Sequence, residues 1–278
     1  AAAMLQALRV MRRRRPQLVL GMGGFVTGPG GLVARILGIP LVIHEQNAVP
    51  GMTNKWLARI ADRVLEAFPG SFGAETGALV TGNPVRSEIA AITVPEQRMA
   101  GREGPLRLLV LGGSQGAQAL NKTLPQALAQ LPLPQRPQVR HQAGGRRWQE
   151  AADAYAEAAV TADVDPFISD MASAYAWADL VICRAGALTI AELAAAGVGA
   201  ILVPYPYAVD DHQTRNARYL VDAGGAILLP QSQMNAQRLA DLLRLDRQRV
   251  LAMACAARRM GLPGATTAVA DICQEAAA

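Results

Sequence analysis

Short apolar runs recur along this chain, separated by segments of helical periodicity, and that alternation admits few architectures. Strand candidates fall at 17–20, 41–44, 63–67 and 78–81, then at 106–111, 138–142, 179–183, 200–203 and 226–229. Segments this short, most of them largely apolar and spaced widely enough for a helical crossover, predict parallel strands with helices on both faces. Gly and Pro punctuate the segments between them, as in the helix stop Leu37-Gly38-Ile39-Pro40. The stretch Pro95 to Pro105 is polar, contains two glycines and reads as a linker between two sets of strands. The expected fold class is therefore α/β, with two doubly wound domains facing each other. Ligands are expected at the carboxyl ends of the strands.

Several loops at those ends have the chemistry to hold an anion. Gly112-Gly113-Ser114-Gln115-Gly116 follows the apolar run ending at Leu111 and precedes a helical stretch, Ala117 to Leu131. Glycine lets backbone approach a phosphate, and the first amides of a helix lack internal acceptors and sit at the positive end of its dipole. The spacing is not that of a dinucleotide fingerprint. A second loop, Cys183-Arg184-Ala185-Gly186-Ala187-Leu188-Thr189-Ile190-Ala191-Glu192, repeats the arrangement. Glu192 can accept from both hydroxyls of a ribose, or simply complement the helix dipole. A third, Asp211-His212-Gln213-Thr214-Arg215-Asn216-Ala217, can bind sugar hydroxyls or cap a helix. Together the three suit a nucleotide diphosphate carrying a sugar. The first set of strands adds a stretch with six glycines in eleven residues, Gly21 to Gly31, and the polar strand ends His44-Glu45-Gln46-Asn47 and Gly82-Asn83-Pro84-Val85-Arg86.

Composition narrows the partners. The formal net charge is +5 and arises almost wholly from arginine, Lys55 and Lys122 being the two lysines. That admits phosphorylated ligands or an anionic membrane surface. Nucleic acid is not expected, because no basic stretch is interleaved with aromatics for stacking. Cys183, Cys255 and Cys273 are widely spaced, which suits reduced thiols better than disulfides or a zinc site. No apolar run reaches the roughly 18 residues of a membrane-spanning helix. The first residues do not form a signal peptide either, since the arginines follow the apolar residues. Met4, Leu5, Leu8 and Met11 share one helical face beside Arg9 and Arg12 to Arg15. That face can lie on anionic lipid, or pack on the sheet with its arginines solvated. Asp163-Val164-Asp165 spells a metal-binding D-x-D but is expected in a loop before Pro166, as a decoy.

The ordered series Gly21-Met22-Gly23-Gly24-Phe25-Val26-Thr27-Gly28-Pro29, His44-Glu45-Gln46-Asn47, Thr53-Asn54-Lys55, Gly82 to Arg86, Gly112 to Gly116 and Ala187-Leu188-Thr189 resembles the MurG family. These are the N-acetylglucosaminyltransferases of bacterial peptidoglycan synthesis, and the resemblance runs from about residue 15 to the end. It implies the GT-B architecture, two Rossmann-like doubly wound domains facing a cleft. Domain boundaries are expected at 1–86, completed by the helix 264–278, and at 87–263. The implied reaction is inverting transfer of N-acetylglucosamine from UDP-N-acetylglucosamine to the C4 hydroxyl of lipid I, giving lipid II. The implied setting is the cytoplasmic face of the cell membrane, with peripheral attachment.

By the same resemblance Ser114 and neighbouring amides would hold the donor diphosphate and the backbone at Ile168 would read the uracil edge. Ala187, Leu188, Thr189, Ile190, Ala191 and Glu192 would line phosphates and sugar, with Glu192 on the ribose. Gln213 would meet the N-acetylglucosamine, and Asn47 and Arg86 would sit at the cleft. Amides and helix dipoles would stabilise the leaving diphosphate, so neither metal nor cofactor is expected. No general base is assigned. His44 is the candidate, against the structural role more usual for a histidine at a strand end; His212 would position ligand or cap a helix, and His141 is read as structural. The family's first glycine-rich loop, which ends in histidine, has no counterpart here, and the first domain is expected to be incomplete. Two other readings stand beside this one: another GT-B enzyme, including a UDP-N-acetylglucosamine 2-epimerase, and a UDP-sugar-binding module without activity of its own.

Overall fold

The structure is a computed structural model that describes residues 2–113, 117–145 and 147–278. It divides into two compact units: 1–85 with 262–278, and 86–261.

In the first unit, β1 (Val19–Gly21), β2 (Leu41–Glu45), β3 (Arg63–Glu66) and β4 (Leu79–Val80) form one parallel sheet in sequence order. Every residue of β2 is buried, because both faces of the sheet are covered. Leu41 and Ile43 pack with Leu57, Val64 and Phe72 on one face. Val42 and Leu65 point the other way, onto Val269 of the helix Ala265–Ala277. The last helix of the chain thus completes the first unit. Gly82 is pinned from two sides: its φ is +79°, and a Cβ there would lie 2.8 Å from Leu262 Cβ.

In the second unit, six parallel strands follow: β5 (Arg107–Leu111), β6 (Gln138–Gln142), β7 (Asp163–Asp165), β8 (Leu180–Cys183), β9 (Gly199–Leu202) and β10 (Ala226–Leu228). Their order across the sheet is β10-β9-β8-β5-β6-β7. Winding reverses between β5 and β8. Such a reversal splays the two following loops apart and opens a crevice at the carboxyl ends of those strands.

Two expectations are corrected. Residues 163–165 are not a loop: they form the edge strand β7, in register with Arg140 to Gln142. Edge position explains the misreading, since Asp163 and Asp165 point to solvent and break the apolar pattern. The segment 95–105 is not a linker, because the division between units falls before Arg86. Its charges are latches to the second unit. The Arg98 guanidinium donates to the carbonyls of Ala196 and Gly197, both at 2.6 Å, at the end of the helix Ala187–Ala196. Burial lowers its pKa to about 10. Arg102 donates to Ala176 O at 2.7 Å and pairs with the fully buried Asp179. Asp179 also accepts from Arg247 at 2.8 Å and from the Arg107 amide at 3.0 Å. A polar sequence that satisfies buried carbonyls looks the same, locally, as one that faces water.

Candidate active site

The switch point between β5 and β8 brings two helix starts to one end of the sheet. After β5 come Gly112 and Gly113, the latter at φ +75°, and the helix Gln118–Ala129. After β8 comes the turn to Gly186 and the helix Ala187–Ala196. The residues at the two N-cap positions are Ala117 and Gly186, neither of which has a side-chain acceptor to offer the first amides. An outside anion can fill that role. Ser114, predicted to do part of this work, lies outside the described residues.

Beside these helix starts is an open cleft of about 1210 Å³, lined by Gly112, Gly113, Lys122, Arg147, Arg184 and Gln213 among others. Three cations around two glycines make it a site for negative charge. Arg184 is also a brace. It donates to the carbonyls of Val203 and Pro204 at 3.1 Å and to Gln231 Oε1 at 2.6 Å, and stacks over Tyr205 at 5.6 Å. Burial depresses its pKa. Gln213 ties two loops together: its Oε1 accepts from the amides of Ala185 at 3.3 Å and Tyr205 at 2.9 Å. Its amide nitrogen is the group it has for a ligand.

Along the helix Ala187–Ala196 the predicted residues separate by face. Leu188 is exposed, Thr189 and Ala191 are half-buried, and Ala187 is buried. Ile190 is fully buried and its amide bonds Gly186 O at 3.0 Å, so its side chain packs the helix against the core. Glu192 is the charged centre. Its Oε1 lies 3.3 Å from Arg86 Nη2 and its Oε2 accepts from the Tyr175 hydroxyl at 3.0 Å. The Ile168 amide donates to Gln142 Oε1 at 3.0 Å, so that N–H already has a partner within the protein.

In the first unit, Asn47 is held by Glu45, whose Oε1 accepts from the Asn47 amide at 2.9 Å and side chain at 3.3 Å. His44 is fully buried, with Nε2 donating to Gly82 O at 2.9 Å and Nδ1 accepting from Gln46 Nε2 at 3.1 Å. Burial lowers its pKa. A ring with both nitrogens engaged and no exposed surface ties β2 to the Gly82 turn. His141 is also buried, at 3.0 Å from the Tyr155 hydroxyl, and burial pushes its pKa down to about 4. His212 bonds Val209 O at 2.7 Å at the start of its helix.

The sequence profile of the glycosyltransferase family 28 C-terminal domain matches residues 107–274, and that of the family 28 N-terminal domain matches residues 1–66. The chain is 59% identical, over 278 residues, to the UDP-N-acetylglucosamine–N-acetylmuramyl-(pentapeptide) pyrophosphoryl-undecaprenol N-acetylglucosamine transferase of Marinobacter nauticus. That alignment covers 99% of this chain and 77% of the relative. The same enzyme of Methylococcus capsulatus is 58% identical, again over 99% of this chain and 77% of the relative. A crystal structure of Acinetobacter baumannii MurG superposes with a TM-score of 0.89 at 45% identity, covering 98% of this chain and 77% of that one.

The chain belongs to the MurG family.

The two parallel sheets are accordingly the two Rossmann-like domains of the GT-B class. A UDP-N-acetylglucosamine 2-epimerase superposes with a TM-score of 0.63 at 16% identity, covering 96% of this chain and 74% of that one, which shows a shared fold and nothing finer. The MurG-family motifs named Glu192 and Arg86, which the structure brings together, and Gln213, which lines the cleft. They did not point to Lys122, Arg147 or Tyr175. Lys122, one of two lysines in the chain, and Arg147, just after Gly144-Gly145 at the end of β6, carried a usable signal. Tyr175 carried none, because its partner is 17 residues away.

Proposed function

We propose that this chain is a hexosyltransferase of the MurG type. It transfers N-acetylglucosamine from UDP-N-acetylglucosamine to the C4 hydroxyl of the muramoyl unit of lipid I, forming lipid II for peptidoglycan synthesis, and so serves cell-wall growth, cell shape and division. The observation that carries this is the 59% identity with the Marinobacter nauticus enzyme along nearly the whole chain. The acceptor oxygen attacks the anomeric carbon from the face opposite the diphosphate, inverting that centre. The C–O bond to UDP breaks and the hydroxyl proton leaves to a base.

The reading assigns the donor to the second unit. Its diphosphate lies at the starts of the helices Gln118–Ala129 and Ala187–Ala196, near Ser114, with Lys122 and Arg147 beside it. Those amides and cations stabilise the charge that grows on the leaving group. Glu192 accepts from the ribose hydroxyls, the Ile168 backbone reads the uracil, and Gln213 offers its amide to the sugar. Arg86 and Asn47 serve the donor as well. Calorimetric titration with UDP-N-acetylglucosamine, against UDP-glucose and ADP-glucose, tests this. Selective binding weakened about tenfold or more in Glu192→Ala is expected; equal binding of all three nucleotides would overturn it.

The acceptor's lipid brings the protein to the cytoplasmic face of the membrane as a peripheral protein. No helix of the described residues is long and apolar enough to cross. Arg9 and Arg12 to Arg15 are exposed along and after the helix Ala2–Arg14, with Leu5 and Val10 also exposed. Changing Arg12 to Arg15 to Gln is expected to abolish sedimentation with anionic vesicles. Unchanged sedimentation would remove the membrane role of this helix.

A further inference from the structure

We infer that Tyr175 is the positioning residue for Glu192, and that Arg86 is the partner a ribose displaces. The inference rests on the assignment of Glu192 to the ribose made above. Tyr175 is fully buried on the helix Met171–Trp177, and its hydroxyl reaches Glu192 Oε2 at 3.0 Å. Arg86 holds the other oxygen, Oε1, at 3.3 Å, and its side chain is 53% exposed. The carboxylate therefore sits between an immobile donor and a removable one.

The two contacts differ in kind. A buried tyrosine ring has no other rotamer available without opening the core, so its hydroxyl fixes where Oε2 lies. Burial and the nearby carboxylate raise the Tyr175 pKa, which keeps the hydroxyl protonated and donating. Arg86 can leave Oε1 at little cost, as exposed ion-pair partners do, and is then free to serve another part of the donor. Each carboxylate oxygen accepts more than one hydrogen bond. A vicinal diol can therefore replace Arg86 at Oε1 while Oε2 keeps Tyr175 and takes the second hydroxyl. Without Tyr175 the glutamate side chain has to give up its own rotamer freedom when the diol arrives.

The readout is the preference for a nucleotide with ribose hydroxyls over one without them. Titrations with UDP and with 2′,3′-dideoxy-UDP give that ratio of dissociation constants for wild type, Tyr175→Phe and Glu192→Gln. A merely structural tyrosine would weaken both nucleotides alike and leave the ratio alone. Tyr175→Phe is expected to cut the ratio about tenfold, with dideoxy-UDP binding nearly unchanged. A ratio that collapses in Glu192→Gln but stays at the wild-type value in Tyr175→Phe overturns the positioning role and leaves the ribose assignment standing. A ratio unchanged in both variants overturns the two together. Phenylalanine fills the same space; if that variant nonetheless unfolds, Tyr175→Met, an adaptable filler without a donor, provides the same comparison.

Discussion

Both units place carboxylates at or beyond the carboxyl ends of parallel strands, yet they use them in opposite ways. In the first, Glu45 closes β2 onto its own loop. Its two oxygens accept from Asn47, from the Gly51 amide at 3.0 Å and from Asn54 Nδ2 at 2.8 Å. Glu66 does the same one strand over, accepting from the amides of Gly70 at 2.7 Å and Phe72 at 2.9 Å. Glu45 and Glu66 are both buried. In the second unit Glu192 is pinned on one oxygen and holds an exposed arginine on the other. A carboxylate whose acceptors are spent on backbone amides builds a loop. One with a replaceable partner is available to a ligand.

That contrast breaks or holds at three points. The largest effect is expected from Glu45→Ala, which strands several buried donors at once. The first unit should lose about 3–5 kcal/mol, read by urea unfolding, and hydrogen exchange at Asn47 and Gly51 should speed up. Because Glu45 holds Asn47, UDP-N-acetylglucosamine binding should weaken as well, but by less than in Glu192→Ala; a loss as large as in Glu192→Ala would mean that Glu45 itself serves the ligand.

Next comes acid. His141 is held neutral in the fold, with a pKa of about 4 against the usual 6.5. The unfolded chain takes up the proton first, so stability is full above about pH 6.5 and falls as pH drops toward 4. The loss across that window is about 3 kcal/mol. Unfolding midpoints at pH 7 and pH 5 should differ in wild type and converge in His141→Gln. Convergence failing, the acid sensitivity of the second unit has another source. His44 contributes in the same direction in the first unit, its pKa being lowered as well.

The smallest effect on stability is expected from Arg86→Ala. Its ion pair is half-exposed, so unfolding should move by less than about 1 kcal/mol. A larger loss would show Arg86 to be a fixed part of the architecture and would erase the difference from Glu45.

Local signals carried the strands and the anion-binding loops. Apolar runs marked β2, β5, β8 and β9, and glycines marked the turns after β5 and β8. Edge strand β7 escaped because its two aspartates face solvent. The burial of the Ile190 side chain was not legible, because a motif does not say which side of a helix faces in. Arg98 and Arg102 looked like a linker because their acceptors, the carbonyls at Ala176, Ala196 and Gly197, lie 74 or more residues away.

What the amino-acid sequence by itself determined is therefore the alternation of strand and helix, the parallel sheets, the glycine turns and the family motifs, all written within a few residues of one another. Only the tertiary structure decided the strand order that puts β5 beside β8, the burial that ties His44 to the Gly82 turn, and the pairing of Glu192 with Tyr175 and Arg86. Periodicity and turn chemistry act over a single turn or strand. Burial and hydrogen-bond partnership are set by where distant segments meet, and a fully buried ring or a shared carboxylate exists only after they have met.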